Sequence, residues 1–235
     1  MDTTRPELTS LMAGLTLTTG MLDAVTLLAL GPAFTAMQTG NLLFLGFGLA
    51  GQGGVQTVIP AISLAAFVLG AMLGARLESL LDARGRRWLV LGVFVEAALL
   101  AGAGFLAWGL ERAAGDPSAR HAAVIAVVAL AMGMHNVTTM RAHVPDLPTT
   151  VATRAMTALV SGSPLGHDAS LGYGSRAWMR RSVAILALFA GAVLGAWLLR
   201  AHWSPAAVLL LVAGLVLAMA TAFATTARRR APLET

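Results

Sequence analysis

The chain has 235 residues, of which 57% are hydrophobic and 11% charged, whereas an ordinary soluble domain carries about 25% charged residues. So little charge cannot cover a water-facing surface, which excludes soluble enzymes and soluble binding modules. The net charge of +5 arises from 16 Arg with no Lys, scattered between apolar runs rather than gathered in one patch, so no nucleic-acid partner is expected. Cysteine is absent, so disulfides, thiolate metal sites and thiol nucleophiles are excluded.

In chain order, a helix is predicted over Leu11–Leu30, followed by an interrupted apolar segment, Pro32–Ala50. Uncharged or nearly uncharged runs follow at Val58–Ala75, Trp88–Leu110 and His121–Met140. After a short segment, Thr149–Ser163, come Val183–Leu199 and Pro205–Thr226. The long runs approach or exceed the ~20 residues that cross a ~30 Å hydrocarbon core. The bilayer is therefore the expected partner of most of the surface. The first residues, Met1–Ser10, carry Asp2, Arg5 and Glu7 and are followed by no convincing cleavage site, so no removed signal peptide is expected.

The chain reads as two related halves, 8–110 and 120–227, within one transmembrane domain, 1–235. Ile62–Ala75 and Val183–Ala196 align without gaps and agree at six of fourteen positions, including Gly70/Gly191 and Gly74/Gly195. Upstream, Gly20-Met21-Leu22-Asp23 precedes Pro32 at the spacing by which Gly133-Met134-His135-Asn136 precedes Pro145. Thr39-Gly40-Asn41 has a degenerate partner in Thr153-Arg154-Ala155.

The positive-inside rule decides how the halves are related. If the two short segments do not cross, Arg5, Arg76, Arg84, Arg86, Arg87, Arg141, Arg154, Arg176, Arg180, Arg181, Arg228, Arg229 and Arg230 lie on the cytoplasmic side, with both termini. Only Arg112, Arg120 and Arg200 face out. Eight crossings would largely erase this bias. The expected fold is therefore an all-α polytopic integral membrane bundle. It has six spanning helices and two short broken or re-entrant segments, arranged as two inverted repeats. That architecture is frequent among secondary transporters, and non-helical backbone at membrane depth is tolerated only where protein or a wet cavity receives it.

Polar groups inside the spans mark the candidate site. Asp23 shares one helix face with Thr16, Thr19 and Thr26, and an intramembrane carboxylate implies function unless it serves as interhelical glue. His135 and Asn136 occupy the equivalent place in the second half, and the two clusters are expected to meet near the midplane. Gln38, Thr39, Gly40 and Asn41 interrupt an apolar run and, with Thr153, complete the expected solute-binding set. Asp23, His135 and Glu96 are the candidates for carrying a coupling proton, Glu96 alternatively forming a structural pair with an Arg. The Gly70/Gly74 and Gly191/Gly195 pairs are small-residue faces for helix packing, joining either the two halves or two protomers, which leaves a homo-oligomer open. No metal ligand set and no cofactor motif stand out, and no catalytic motif points to an enzyme.

Gly20-Met21-Leu22-Asp23-Ala24, Met37-Gln38-Thr39-Gly40-Asn41, and Ala131–Asn136 followed by Arg141 and Asp146-Leu147-Pro148-Thr149-Thr150 together resemble the YoaK-like family of bacterial membrane proteins, a domain of unknown function. The resemblance covers nearly the whole chain. It departs from the family pattern at His135, where Gln is usual, and at Arg154, where Gly is usual. The resemblance implies a bacterial inner-membrane location and no particular substrate. The expected function is a small-solute secondary transporter or permease with a midplane polar site, acting on an unidentified solute or ion. The alternative is a membrane-embedded binding or assembly protein.

Overall fold

The structure, a computed structural model, describes residues 6–51, 57–84, 87–113, 115–142, 152–161 and 177–229. Arg5, Arg86, Pro145, the Asp146–Thr150 motif, Arg176 and Arg230 lie outside them. Eight α-helices occur among the described residues: α1 (Pro6–Val25), α2 (Gln38–Leu49), α3 (Val58–Ala83), α4 (Trp88–Leu106), α5 (Ala119–Ala142), α6 (Ala152–Ser161), α7 (Ala177–Arg200) and α8 (Pro205–Arg229). A π-helical turn, Thr26–Leu30, extends α1. There the Thr26 hydroxyl donates to the Leu22 carbonyl at 3.0 Å, and such back-bonding competes with the helix's own ladder. Six helices, α1 with its extension and α3, α4, α5, α7 and α8, are long and apolar enough to span a membrane.

The packing follows the repeat. α1 lies on α7 and its counterpart α5 lies on α3, while α4 and α8 meet across the pseudo-axis. The remaining pairings also come in matched sets: α4 with α5 and α8 with α1, α2 with α3 and α6 with α7. Glycine makes the two principal crossings possible. A Cβ placed on Gly70 would lie 2.1 Å from the Leu130 carbonyl oxygen, and one on Gly191 would lie 1.9 Å from that of Leu17. In return, a Cβ on Gly133 would meet the Phe67 carbonyl oxygen at 2.1 Å and one on Gly20 that of Leu188 at 2.3 Å. Residues 17 and 20 map onto 130 and 133, and 67 and 70 onto 188 and 191, so the same contact is built twice. Gly70, Gly74, Gly191 and Gly195 thus join the two halves of one chain.

Direction along the bundle settles the short segment. Glu78 meets Thr138 and Asp82 meets Arg141, so α3 and α5 run parallel. At the other end, Gly31 closes α1 beside Ile59, Pro117 and Ile125, which places the end of α1 at the starts of α3 and α5. The chain leaves α1 and enters α3 on one side of the membrane, and the 12 residues of α2 extend only ~18 Å against a ~30 Å core. Segment two returns to the side it left. The halves are inverted repeats with six crossings.

Arg84, Arg87 and Arg141 sit at the end of the bundle where α1 begins, the near side, and Arg112, Arg120 and Arg200 at the far side, following the helix directions. All five Trp lie at span ends: Trp88, Trp108, Trp178, Trp197 and Trp203, where amphipathic rings suit the headgroup level. Leu69, Met72, Leu73, Leu186, Phe189 and Val193 are exposed on α3 and α7, as a lipid-facing surface requires.

Enlarging a glycine at these crossings is expected to cost the ~1–3 kcal/mol of an overpacked core. Gly133→Ala and Gly20→Ala should lower the unfolding midpoint in detergent by similar amounts. Gly102→Ala and Gly214→Ala, where no atom lies within 4 Å, should leave it in place.

Candidate functional site

The break after α1 is held by two buried side chains at its two ends. Asp23 Oδ1 accepts hydrogen bonds from Thr35 N at 2.8 Å, Ala36 N at 2.9 Å and the Thr35 hydroxyl at 3.2 Å. Asn41 Oδ1 accepts from Phe34 N at 2.9 Å, and its Nδ2 lies within donating distance of the Phe34 carbonyl, Gln38 Oε1 and the Ser63 hydroxyl. Ser63 donates to the Phe34 carbonyl at 2.6 Å, and Gln38 Nε2 to that of Thr35 at 2.9 Å. The amides of residues 34–36 and the carbonyls of Phe34 and Thr35, outside any helix, are thus paired by side chains within the protein. Gly40 completes the lock. A Cβ there would strike the Phe34 ring at 2.6 Å, and that ring stacks on Phe44 with centroids 6.0 Å apart.

The sequence-predicted residues thus divide. Asn41 is fully buried and its amide is consumed by the loop, and Gln38 is occupied in the same network. Asp23 has one oxygen spent on the loop, while Oδ2 is buried with no hydrogen-bond partner. Thr39 and Thr153 are exposed, as is Arg154, while Ala155, at the place of Asn41, is buried. The second half therefore lacks the Asn lock. In its place Arg181, buried on α7, donates to the Ala158 carbonyl of α6 at 2.9 Å, just as Asn41 and Ser63 tie α2 to α3. Thr16, Thr19 and Thr26 are buried beside Asp23, and each returns its hydroxyl to its own helix backbone.

Asp23 is held by the loop backbone at Thr35 and Ala36, and His135 faces Glu96. His135 Nδ1 lies 3.0 Å from Glu96 Oε1, with the two side chains 1% and 2% exposed. Glu96 thus pairs with a histidine, across the α4–α5 contact. Its Oε2 has no hydrogen bond. At the position of His135 the first half carries Leu22, fully buried, so the pair has no counterpart there. Asn136 is partly buried, and its carbonyl accepts from the Thr139 hydroxyl at 3.1 Å.

Sequence reasoning missed Glu78. It is 1% exposed, accepts a hydrogen bond from the Thr138 hydroxyl, and has Oε2 3.7 Å from Arg141 Nε. Arg141 reaches Asp82 at 3.0 Å and lies over the Trp88 ring at 5.1 Å. The signal was present in the spacing. Gly70, Gly74 and Glu78 recur every four residues, and the glycines already identified that face as the one against α5.

Fold and site together define a polytopic helical membrane protein of inverted-repeat architecture, with a side-chain-locked break and buried acidic groups inside its spans. A family described as protein of unknown function (DUF1275) matches residues 11–222, and the chain belongs to that family, in agreement with the YoaK-like resemblance. No curated protein and no solved structure matches the chain.

Removing the lock is expected to expose buried backbone at a cost of about 1–3 kcal/mol for each unpaired group. Asn41→Leu, which orphans the Phe34 amide, should lower the unfolding midpoint more than Ser63→Ala does. Asn41 would still hold the Phe34 carbonyl in that variant. Thermal unfolding in detergent compares the two.

Proposed function

We propose that the protein is a small-solute secondary transporter of the bacterial inner membrane. Both termini would be cytoplasmic, so that the near side with Arg84, Arg87 and Arg141 is the cytoplasmic one. The observation that carries the reading is Asp23 Oδ2, a buried carboxylate oxygen without a partner. It lies beside a backbone break at membrane depth in an inverted-repeat bundle. Such a group is costly in a bilayer unless a ligand, water or proton meets it, and broken segments of inverted repeats are where transporters build their sites. Asp23 then has two roles: Oδ1 shapes the loop and Oδ2 is offered to the solute or its coupling ion. Glu96 and His135 are the groups for proton coupling. Rocking of one half against the other would turn on the glycine crossings, where backbones touch with little side-chain interdigitation.

A second reading, a membrane-embedded binding or assembly protein, draws on the saturation of Asn41 and on the exposed apolar face of α2, with Leu42, Leu43, Phe47 and Leu49. Under that reading Asp23 is glue and no solute is recognised.

Asp23→Asn separates the two, because its carbonyl oxygen still accepts from Thr35 N and Ala36 N while the charge is gone. Purified wild type and variant are screened by thermal shift against a library of small metabolites and ions. A solute at 100 times its dissociation constant should stabilise wild type by ~2.7 kcal/mol and the folded variant far less. If no solute shifts wild type, or both shift equally, the transport site is not at Asp23 and the assembly reading takes its place.

A further inference from the structure

Among the described residues, the buried side-chain nitrogen and oxygen atoms without a hydrogen bond are three carboxylate oxygens: Asp23 Oδ2, Glu78 Oε2 and Glu96 Oε2. Two of them belong to one line of groups. His135 and Thr138 stand one turn apart on the same face of α5. His135 faces Glu96 of α4. Thr138 faces Glu78 of α3, and both lie beside Gly92, whose Cβ would sit 2.8 Å from Thr138 Oγ1 and 3.1 Å from Glu78 Oε1. Gly92 is one turn from Glu96 on α4, so the Glu78–Thr138 pair lies directly on the near side of the Glu96–His135 pair. Glu78 in turn is 3.7 Å from Arg141, whose side chain is 28% exposed and bonded to Asp82, 58% exposed. The line therefore runs from the near-side surface, through Glu78 and Thr138, to the buried acid–imidazole pair.

We propose that Glu78 and Thr138 form a proton path that connects the Glu96–His135 pair to the near side of the membrane. The proposal rests on the transport reading for its purpose and not for its geometry. A proton from water binds the Glu78 carboxylate. Glu78 passes it to the Thr138 oxygen as the Thr138 hydroxyl proton leaves toward Glu96 Oε2, so one O–H bond breaks for each that forms and no electrons are exchanged. The two pairs lie one helical turn apart, ~5.4 Å of rise, and the step requires the Glu96 side chain to swing toward Thr138. Gly92 keeps that level clear, since any side chain there would wedge between α4 and the Thr138–Glu78 contact. The charged or titratable groups along these helices near the path are Glu78 and Asp82 from α3, Glu96 from α4, and His135 and Arg141 from α5. α8, which packs on the other face of α4, has no titratable residue between positions 205 and 226, and α2, packed on α3, has none. Arg141, held by Asp82 and Trp88, fixes the mouth of the path and keeps a positive charge next to Glu78. In the first half, positions 22 and 25, which map onto His135 and Thr138, carry the buried apolar residues Leu22 and Val25. The path is therefore a feature of one half, leading to one side.

The test reads proton exchange at His135 without any solute. The full-length protein, labelled with nitrogen-15 at its five histidines, is placed in lipid nanodiscs. Solvent exchange of the His135 ring N–H is followed by NMR, with the signal identified by its loss in His135→Gln. Replacing a positioned proton donor slows transfer by ~10²-fold or more. Glu78→Gln, which keeps an oxygen for Thr138, should therefore slow the exchange by about a hundredfold. Thr138→Val should do the same, while Thr221→Val, on the exposed face of α8, should leave the rate unchanged. Unaltered exchange in either Glu78→Gln or Thr138→Val overturns the path, as does equal slowing in Thr221→Val. Should Glu78→Gln fail to fold, Thr138→Val decides alone. Slowed exchange together with a negative solute screen removes the transport reading and leaves the path standing. A positive screen with unaltered exchange removes the path alone.

Discussion

Direct contact between backbones at two glycine crossings is the constraint on which the rest of the structure depends. Lipid tails are as apolar as the helices, so spans are held by close packing rather than by a gain from burial. In this chain the closest packing occurs where Gly20 and Gly191 bring α1 onto α7 and where Gly133 and Gly70 bring α5 onto α3. Each helix of a pair comes from a different half. The halves are therefore interlocked rather than side by side, and the helices that bear Asp23 and His135 become the innermost of the bundle. α1 is the most deeply buried span, which is why it can carry three threonines and an acid on one face.

Within that frame the buried acids share one pattern. Each of Asp23, Glu78 and Glu96 has one oxygen engaged, by backbone amides, a hydroxyl and an imidazole respectively, and one oxygen without a hydrogen bond. An engaged oxygen fixes where the group sits, and one without a hydrogen bond, which in Glu78 still lies 3.7 Å from Arg141 Nε, is a place where a proton, an ion or a solute can be met. A bundle selected only for stability would gain by replacing such groups with apolar ones. Their placement on inner α1 and on α3 and α4, which both pack on inner α5, links the packing of the repeat to the chemistry proposed for it.

Much of this was legible in the sequence. Span lengths and the arginine distribution implied six crossings, and the repeat of Gly70-Gly74 at Gly191-Gly195 implied paired crossings. Both are properties of periodicity and composition, which local sequence carries. Partner identities were not legible, because they depend on which faces meet. Glu96 was open to pairing with an Arg or to carrying a proton, and the neighbour it has is His135. Asn41 suggested a solute ligand and spends its amide on Phe34, Gln38 and Ser63, a network that closes only when the chain folds back at Gly31. The expected meeting of the Asp23 and His135 clusters assumed that equivalent positions do equivalent work. Leu22 opposite His135, and Arg181 doing on α7 what Ser63 and Asn41 do around α3, show that the repeat keeps its backbone crossings and not its side-chain roles.

The account stands most directly on the far end of α1 and the start of α3 opening on the same side of the membrane. With no native cysteine, single substitutions Glu7→Cys, Thr57→Cys and Arg84→Cys can be labelled in oriented vesicles by a membrane-impermeant maleimide. Glu7→Cys and Arg84→Cys are expected to react from one side and Thr57→Cys from the other. If Thr57→Cys reacts from the side of Glu7→Cys, α2 crosses the membrane and the inverted repeat is lost, and with it the reason for placing a solute site at Asp23.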